Sequence, residues 1–358
     1  MASQGLARQP LLVGLPFAMM AAVAAVDTWT GPDAGYLALF SLGPAFACVT
    51  GSIRRALLVG VAALLVCAAV AWHDRLLDTH RFAVAMASIL GATAAAALAA
   101  TIRRRHEREL ADVRSVAEAA QRVLLRPVPR RAGRMRIAVS YTSAAASARI
   151  GGDLYEVVPT SHGTRVIVGD VQGKGLEAVE TAAVVLGAFR EAAPDEKTLE
   201  DVGVRLERAL NRRLGGEEFV TAVLAEIDAD HTMTLLNYGH PAPLILRSNS
   251  MVEFAEPPTA APPLGLSSLS PEGPRPYQAE LEPGDQMLFY TDGVTEARNG
   301  ERRFYPLAER AFLLDQEDPD EALDTLRQDL AQHTGGPLHD DAAMLLLRYR
   351  GSPGTVGG

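Results

Sequence analysis

Four acidic positions border apolar runs in the C-terminal part of this chain: Gly151-Gly152-Asp153, Gly169-Asp170, Thr291-Asp292-Gly293 and Asp340-Asp341. A carboxylate at a strand end is held firmly, and an adjacent glycine lets backbone carbonyls approach a ligand. Several carboxylates brought to one place repel each other unless a cation holds them. Hard oxygen donors without His or Cys favour Mg²⁺ or Mn²⁺. Taken singly, each motif has a plainer reading, because Asp-Gly is commonly a turn. The glycines of GDVQGKG do not make a nucleotide loop either, since Lys174 is followed by Gly175 rather than Ser or Thr. The ordered set of four is what points to a metal centre.

These positions need strands to hold them. IAVSYT (137–142), RVIVGD (165–170), FVTAVLAEID (219–228), TMTLLN (232–237), PLILR (243–247), QMLFY (286–290) and AAMLLLRY (342–349) read as strands, with a turn at 229–231. Segments 178–192, 198–214 and 319–333 read as helices, the last opened by Asp318 and Pro319. In the second, Leu199, Val202, Leu206, Leu210 and Leu214 share one face. Asp170 and Asp292 close strand runs, and Asp340 immediately precedes one. Segment 255–276, rich in Pro and Ser, reads as a long loop. The lack of strict strand–helix alternation favours an α+β domain with antiparallel sheets. The domain is expected over 137–349, followed by a disordered tail at 350–358.

Composition sets this domain apart from what precedes it. The chain is 48% hydrophobic, yet 22% charged with net charge −9, and its mean hydropathy is +0.07. The apolar excess lies in residues 1–101, which hold 5 Arg and 4 Asp. Residues 102–136 carry 11 Arg against 4 acids, and residues 137–358 carry 18 basic against 35 acidic residues. So acidic a domain is a poor nucleic-acid partner. Cys48 and Cys67 both lie in apolar stretches without CxxC spacing, which excludes zinc-finger and disulfide scaffolds.

Apolar stretches at 11–26, 36–50, 56–72 and 82–101 predict an all-α membrane region of about four helices. The first reads as a membrane helix rather than a cleaved signal, because three more follow it. The first loop carries Asp27 and Asp33, the second Arg54 and Arg55, and the fourth stretch is followed by Arg103, Arg104, Arg105 and Arg108. Positive-inside bias then predicts a multi-pass cell-membrane protein with its N-terminus and acidic domain cytoplasmic. The Arg-rich segment either attracts anionic membrane lipid or serves only as a stop-transfer anchor. Within the basic connector (102–136), residues 106–125 repeat apolar Leu110, Val113, Ala117, Ala120 and Leu124 at helical spacing. That helix reads equally as a homodimerising signal helix or as a rigid spacer.

The domain resembles the PPM-type metal-dependent protein phosphatases, in the SpoIIE-like bacterial subgroup. The matching pieces are AQRVLLRP (120–127), IGGDLYEVV (150–158), VGDVQGKGLEA (168–178), FVTAVLAEID (219–228), NYGHPAPLIL (237–246), PLGL (263–266), LEPGDQMLFYTDGVTEARN (281–299) and HDDAAMLLLR (339–348). The resemblance implies two stacked antiparallel sheets flanked by helices. It implies two Mn²⁺ or Mg²⁺ ions and hydrolysis of phosphoserine or phosphothreonine in proteins. By position, Asp170 would bridge the ions, with the Val171 carbonyl, Asp292 and Asp340 as ligands and Asp153 acting directly or through water. No covalent nucleophile is implied; the attacking group is a metal-activated water. The usual substrates of related proteins are phosphorylated anti-sigma-factor antagonists, which implies a regulatory phosphoprotein partner in a partner-switching pathway controlling transcription. Two departures keep a catalytically silent sensor or binding module as the alternative: Glu156 stands where the family's first motif usually ends in Asp, and Ala343 replaces a Thr. His240 matches a family position and reads as structural or substrate-adjacent. Lys174 reads as a phosphate-holding or a solvated lysine. A transporter with a soluble appendage is a weaker reading, since no apolar stretch carries a central ionisable residue.

Overall fold

The computed structural model describes residues 2–350, apart from 31–35, 51, 144–150, 162, 214–217, 229–231, 268–272 and 339. The expected turn at 229–231, the end of the 198–214 helix and the tail at 351–358 therefore lie outside the described residues, as do the side chains of Leu110, Val113 and Ala117. The chain divides into two compact units, Met1–Ala111 and Asp112–Gly358.

The first unit is helical: α1 (Ala2–Thr30), a 3-10 segment (Tyr36–Ser41), α2 (Leu42–Thr50), α3 (Ile53–His73) and the part of α4 (His80–Leu124) up to Ala111. Phe40, Val59, Ala63, Cys67 and Ile89 form its core. Helices α3 and α4 approach closely at Gly60, where a Cβ would lie 2.4 Å from the Thr93 methyl. Leu58, Leu65 and Leu98 are exposed. Among the described residues, two helices are long and apolar enough to cross a membrane, Ile53–His73 and His80–Glu109. The expected stretch at 36–50 is not one such helix. Pro44 lacks an N–H and clashes with a preceding helical turn, so it stands in the first turn of α2 and the residues before it are wound as a 3-10 segment. Conversely, the stretches 82–101 and 106–125 are one continuous helix, α4.

The second unit is a sandwich of two antiparallel sheets between helices. One sheet has the order β1 (Arg131–Ala132), β2 (Met135–Thr142), β11 (Ala342–Tyr349), β10 (Gln286–Tyr290), β7 (Leu244–Leu246), β8 (Val252–Phe254). The other has the order β3 (Leu154–Pro159), β4 (Thr164–Val171), β5 (Val220–Ile227), β6 (Thr232–Tyr238), β9 (Tyr277–Glu280). The two-residue period of a strand explains the layering. On β11, Ala343, Leu345 and Leu347 face the other sheet, while Ala342, Met344 and Leu346 face the helix side. On β4, Val166 and Val168 point inward and Ile167 points outward.

Helices α5 (Leu176–Asp195) and α6 (Leu199–Asn211) cover the second sheet, with Leu186, Phe189, Leu206 and Leu210 fully buried there. Thr198 caps α6, its hydroxyl accepting from Asp201 N–H at 3.2 Å. Helix α9 (Pro319–Thr334) covers the first sheet through Leu323, Leu326 and Leu330. It opens on Asp318 and Pro319 and closes on Gly335 in the left-handed region, φ 64°. Short helices α7 (Asp292–Thr295) and α8 (Leu307–Arg310) follow β10. This α+β architecture agrees with the expectation. The expected strands are present, and β3, which sequence reasoning passed over, joins the second sheet.

Candidate metal centre

Sheet register brings the four acidic positions to one end of the sandwich. Leu154 pairs with Gly169, so Asp153, just before β3, stands beside Asp170 near the end of β4. Tyr290 pairs with Met344, so Thr291 and Asp292 leave β10 where Asp340 and Asp341 enter β11. The two sheets are tied here by one hydroxyl. Thr291, fully buried, donates to Asp153 Oδ2 at 2.7 Å and accepts from Ala343 N–H at 3.0 Å.

The carboxylates act on one another. Burial raises the Asp153 carboxyl well above the usual carboxylate range, and Asp170, Asp341 and Asp292 add to the rise, against the Thr291 hydrogen bond. Burial also pushes Asp170 up to about 7, with Asp292 and Asp340 adding and a hydrogen bond from Asp153 opposing. Asp292 is raised by burial and then by Asp340 and Glu296. Among the described residues no three His, Cys, Asp or Glu side chains close on one point as a ready chelate. Like charges stand apart while sharing one field, and that field favours a cation.

The donor chemistry fits a hard divalent ion. So does the space. A Cβ at Gly152 would lie 2.7 Å from the Val171 carbonyl oxygen, so only glycine fits against that oxygen beside Asp153. A Cβ at Gly293 would lie 1.7 Å from the Asp341 carbonyl oxygen, which keeps β10 and β11 in close contact next to Asp292.

Asp341 has a different setting from Asp340. It is buried, accepts from Gly151 N–H at 3.0 Å and receives the Tyr141 hydroxyl. Gln121, in the last turns of α4, donates to the Tyr141 oxygen at 2.7 Å and to the Gly151 carbonyl at 3.3 Å. Asp340 is half exposed and pairs with Lys174 at 2.6 Å. Lys174 is thus committed to a carboxylate of the site. Glu156 is turned away: it pairs with Arg190, which also donates to the Leu124 carbonyl at 2.7 Å. His240 is buried between the sheets. Its Nε2 meets the Tyr290 carbonyl and its Nδ1 the Thr221 hydroxyl, both at 3.1 Å. Burial holds its ring neutral, pulled down to about 4.

Sequence reasoning missed Thr291, Tyr141 and Gln121. Thr291 lies inside the quoted block 281–299 and Gln121 inside 120–127, but neither residue type announces a role. A cavity of about 200 Å³ opens against Asp292, Asp340, Glu296 and Arg298. Larger cavities of about 470 and 360 Å³ lie elsewhere, one at the opposite strand ends beside Arg134 and Asp228, the other between α6 and Pro262. Neither is lined by the clustered aspartates.

Comparison with known proteins agrees with this architecture. Phosphoserine phosphatase RsbU of Bacillus subtilis is 24% identical over 206 residues, 56% of this chain and 60% of that protein. Protein IcfG of Synechocystis is 23% identical over 237 residues, 56% of this chain and 36% of that protein. The chain thus spans 60% or less of the length of these curated relatives. The RsbU and RsbW domains of Rv1364c from Mycobacterium tuberculosis superpose with a TM-score of 0.51 at 28% identity, covering 60% of each chain. The PP2C phosphatase domain of SpoIIE from Bacillus subtilis gives 0.52 at 17% identity, covering 61% of this chain and 64% of that one, a likeness of fold. The family model of stage II sporulation protein E (SpoIIE) matches residues 160–350, more than half of the chain. A match of that extent places the chain in the SpoIIE family.

Proposed function

We propose that this chain is a membrane-anchored, metal-dependent phosphatase that removes phosphate from phosphoserine or phosphothreonine of a cytoplasmic regulatory protein. The observation that carries the reading is the set of mutually repelling aspartates, Asp153 buried and Asp170, Asp292 and Asp340 partly so, at the ends of β4 and β10 and ahead of β3 and β11. The family membership and the likeness to a phosphoserine phosphatase support it.

In this reading Asp170, Asp292, Asp340, Asp153 and the Val171 carbonyl would hold two Mn²⁺ or Mg²⁺ ions. When bound, such ions would supply an acidified water as nucleophile and neutralise charge on the phosphoryl oxygens. The chain's own residues supply the frame. Thr291 fixes the Asp153 carboxylate, Gly152 fits against the Val171 oxygen without displacing it, and Lys174 balances Asp340. His240 ties β5 to the end of β10.

The apolar helices Ile53–His73 and His80–Glu109 support anchoring in a membrane. The arginines at 54–55 and 103–108 favour a cytoplasmic N-terminus and phosphatase domain. The likeness to RsbU and to the RsbU–RsbW pair of Rv1364c supports a partner-switching pathway, with a phosphorylated anti-sigma-factor antagonist as the substrate class.

The test is phosphate release by the full chain in detergent micelles, from an aryl phosphate and a phosphoserine peptide, with Mn²⁺ and with chelator. Release that requires Mn²⁺ and is lost in Asp170→Asn and Asp292→Asn is the expected result. A folded, Mn²⁺-binding chain without release would favour the silent binding module. Absence of both release and binding would overturn the metal reading.

A further inference from the structure

We propose that Arg298 is a substrate-binding residue whose guanidinium receives anionic oxygens of the phosphoserine-bearing segment beside Asp292 and Asp340. The inference rests on the phosphatase reading and adds to it the rim that recognises the substrate.

Three observations converge on this residue. Arg298 lines the same 200 Å³ cavity as Asp292 and Asp340. Its guanidinium carbon stands 4.4 Å from the centre of the Phe304 ring. Stacking fixes the plane of the fork and leaves its N–H edges for a ligand. The residue is also held at its backbone. Arg298 and Phe304 form an antiparallel bridge, and Asn299 closes the turn between them, its Oδ1 accepting from Glu301 and Arg303 N–H at 3.0 Å each.

The charge of Arg298 is uncommitted, whereas three nearby cations are paired. Lys174 pairs with Asp340, Arg303 with Glu301 and Arg310 with Asp329. Arg298 forms no ion pair among the described residues, although Glu296 lines the same cavity. The domain from residue 137 onward carries 35 acidic against 18 basic residues, so an anionic substrate meets a repelling field. A pre-oriented guanidinium at the mouth offsets that repulsion and binds planar oxygen pairs bidentately. Two sources present such oxygens: the phosphoryl group itself, or a carboxylate flanking the phosphoserine.

The experiment compares wild type, Arg298→Ala and Arg298→Lys as full chains in detergent micelles with Mn²⁺. Substrates are an aryl phosphate, a phosphoserine peptide with acidic flanks and one with neutral flanks. Expected is a loss of about ten- to a hundredfold in kcat/KM on the acidic-flanked peptide for Arg298→Ala, only partly recovered by lysine, at unchanged melting temperature. An equal loss on all three substrates assigns the phosphoryl group as the ligand. A loss confined to the acidic-flanked peptide assigns the flanking carboxylate. Activity within twofold of wild type on every substrate overturns the inference, as does a uniform loss accompanied by a lower melting temperature or weaker Mn²⁺ binding. If the wild type proves inactive, the phosphatase reading has failed instead. Fluorescence anisotropy of the labelled acidic-flanked peptide then still decides: unchanged affinity in Arg298→Ala overturns the role of Arg298, and weakened affinity supports it.

Discussion

Thr291 donates its hydroxyl to Asp153 at 2.7 Å across 138 residues of sequence, and this contact sets one sheet against the other at the site. The same oxygen accepts from Ala343 N–H on β11, so its position is determined from both sides. Burial first, and then the neighbouring carboxylates, raise the Asp153 carboxyl; the Thr291 bond is the influence that opposes the rise. Removing it disfavours the carboxylate form that a cation needs. Thr291→Val is expected to weaken Mn²⁺ binding about tenfold by calorimetry, and Thr291→Ser to restore it. Equal Mn²⁺ affinity in Thr291→Val and wild type would show that Asp153 is held by other means.

Gly152 makes a sharper case, because its requirement is steric. An added Cβ would meet the Val171 carbonyl oxygen at 2.7 Å and the Val171 Cβ at 2.6 Å. Both belong to β4, which is paired on both edges and cannot yield cheaply. Gly152→Ala is expected to cost about 1–3 kcal/mol in urea unfolding through overpacking. Mn²⁺ binding should fall with it, since the displaced oxygen is a proposed ligand. Wild-type stability in this variant would mean that the loop before β3 relaxes freely.

Much of this architecture was legible because the strands are short apolar runs set off by turns, the central ones buried on both faces. Asp170, Asp292 and Asp340 stood out because a charge ends or precedes an apolar run. What was hidden depends on partners far away in sequence. Strand β3 reads poorly because Glu156 sits within it, and that charge is met by Arg190 on α5. Thr291 looks like one more strand residue until β11 and Asp153 close around it. The membrane region misled in the other direction: hydropathy counts apolar residues, whereas Pro44 decides how 36–50 is wound. Arg298 was quoted only within a motif, since neither its stacking on Phe304 nor its cavity is encoded in spacing.

Tyr141 is the link between the end of α4 and the site. Its hydroxyl donates to Asp341 and accepts from Gln121 at 2.7 Å, and burial and Asp341 together raise its pKa far above the usual phenol range. It therefore remains a neutral donor at any working pH. Tyr141→Phe leaves a buried Asp341 with one donor fewer and the Gln121 amide with the Gly151 carbonyl alone of its two acceptors. A loss of about 1–3 kcal/mol is expected in denaturant unfolding. Gln121→Leu, which removes the outer donor but keeps the Tyr141–Asp341 bond, should cost less. A larger cost for Gln121→Leu would place the weight of this chain of contacts on α4 instead of on Asp341.

His240 gives the fold a pH dependence of definite sign. Buried between the sheets, it is pulled down to about 4 from an ordinary value near 6.5, chiefly by burial, with the hydrogen bond to the Tyr290 carbonyl opposing. In the unfolded chain it takes up a proton as pH falls through about 6.5, whereas in the fold it does so only near 4. Between these values the unfolded state binds more protons, so the stability this group contributes is full above about 6.5 and declines as pH falls toward 4. The full difference is about 3 kcal/mol. Protonation would also give Nδ1 a hydrogen where it now faces the Thr221 hydroxyl, which would then have to turn toward the Asp170 carbonyl at 3.4 Å. His240→Gln keeps a donor and an acceptor without titrating. The raised Asp153 and Asp170 carboxyls act in the opposite sense in both proteins, so the effect of His240 is read as a difference: between pH 7 and pH 5, urea unfolding should show wild type losing stability relative to His240→Gln. A matching drop in both would assign the acid sensitivity to other groups.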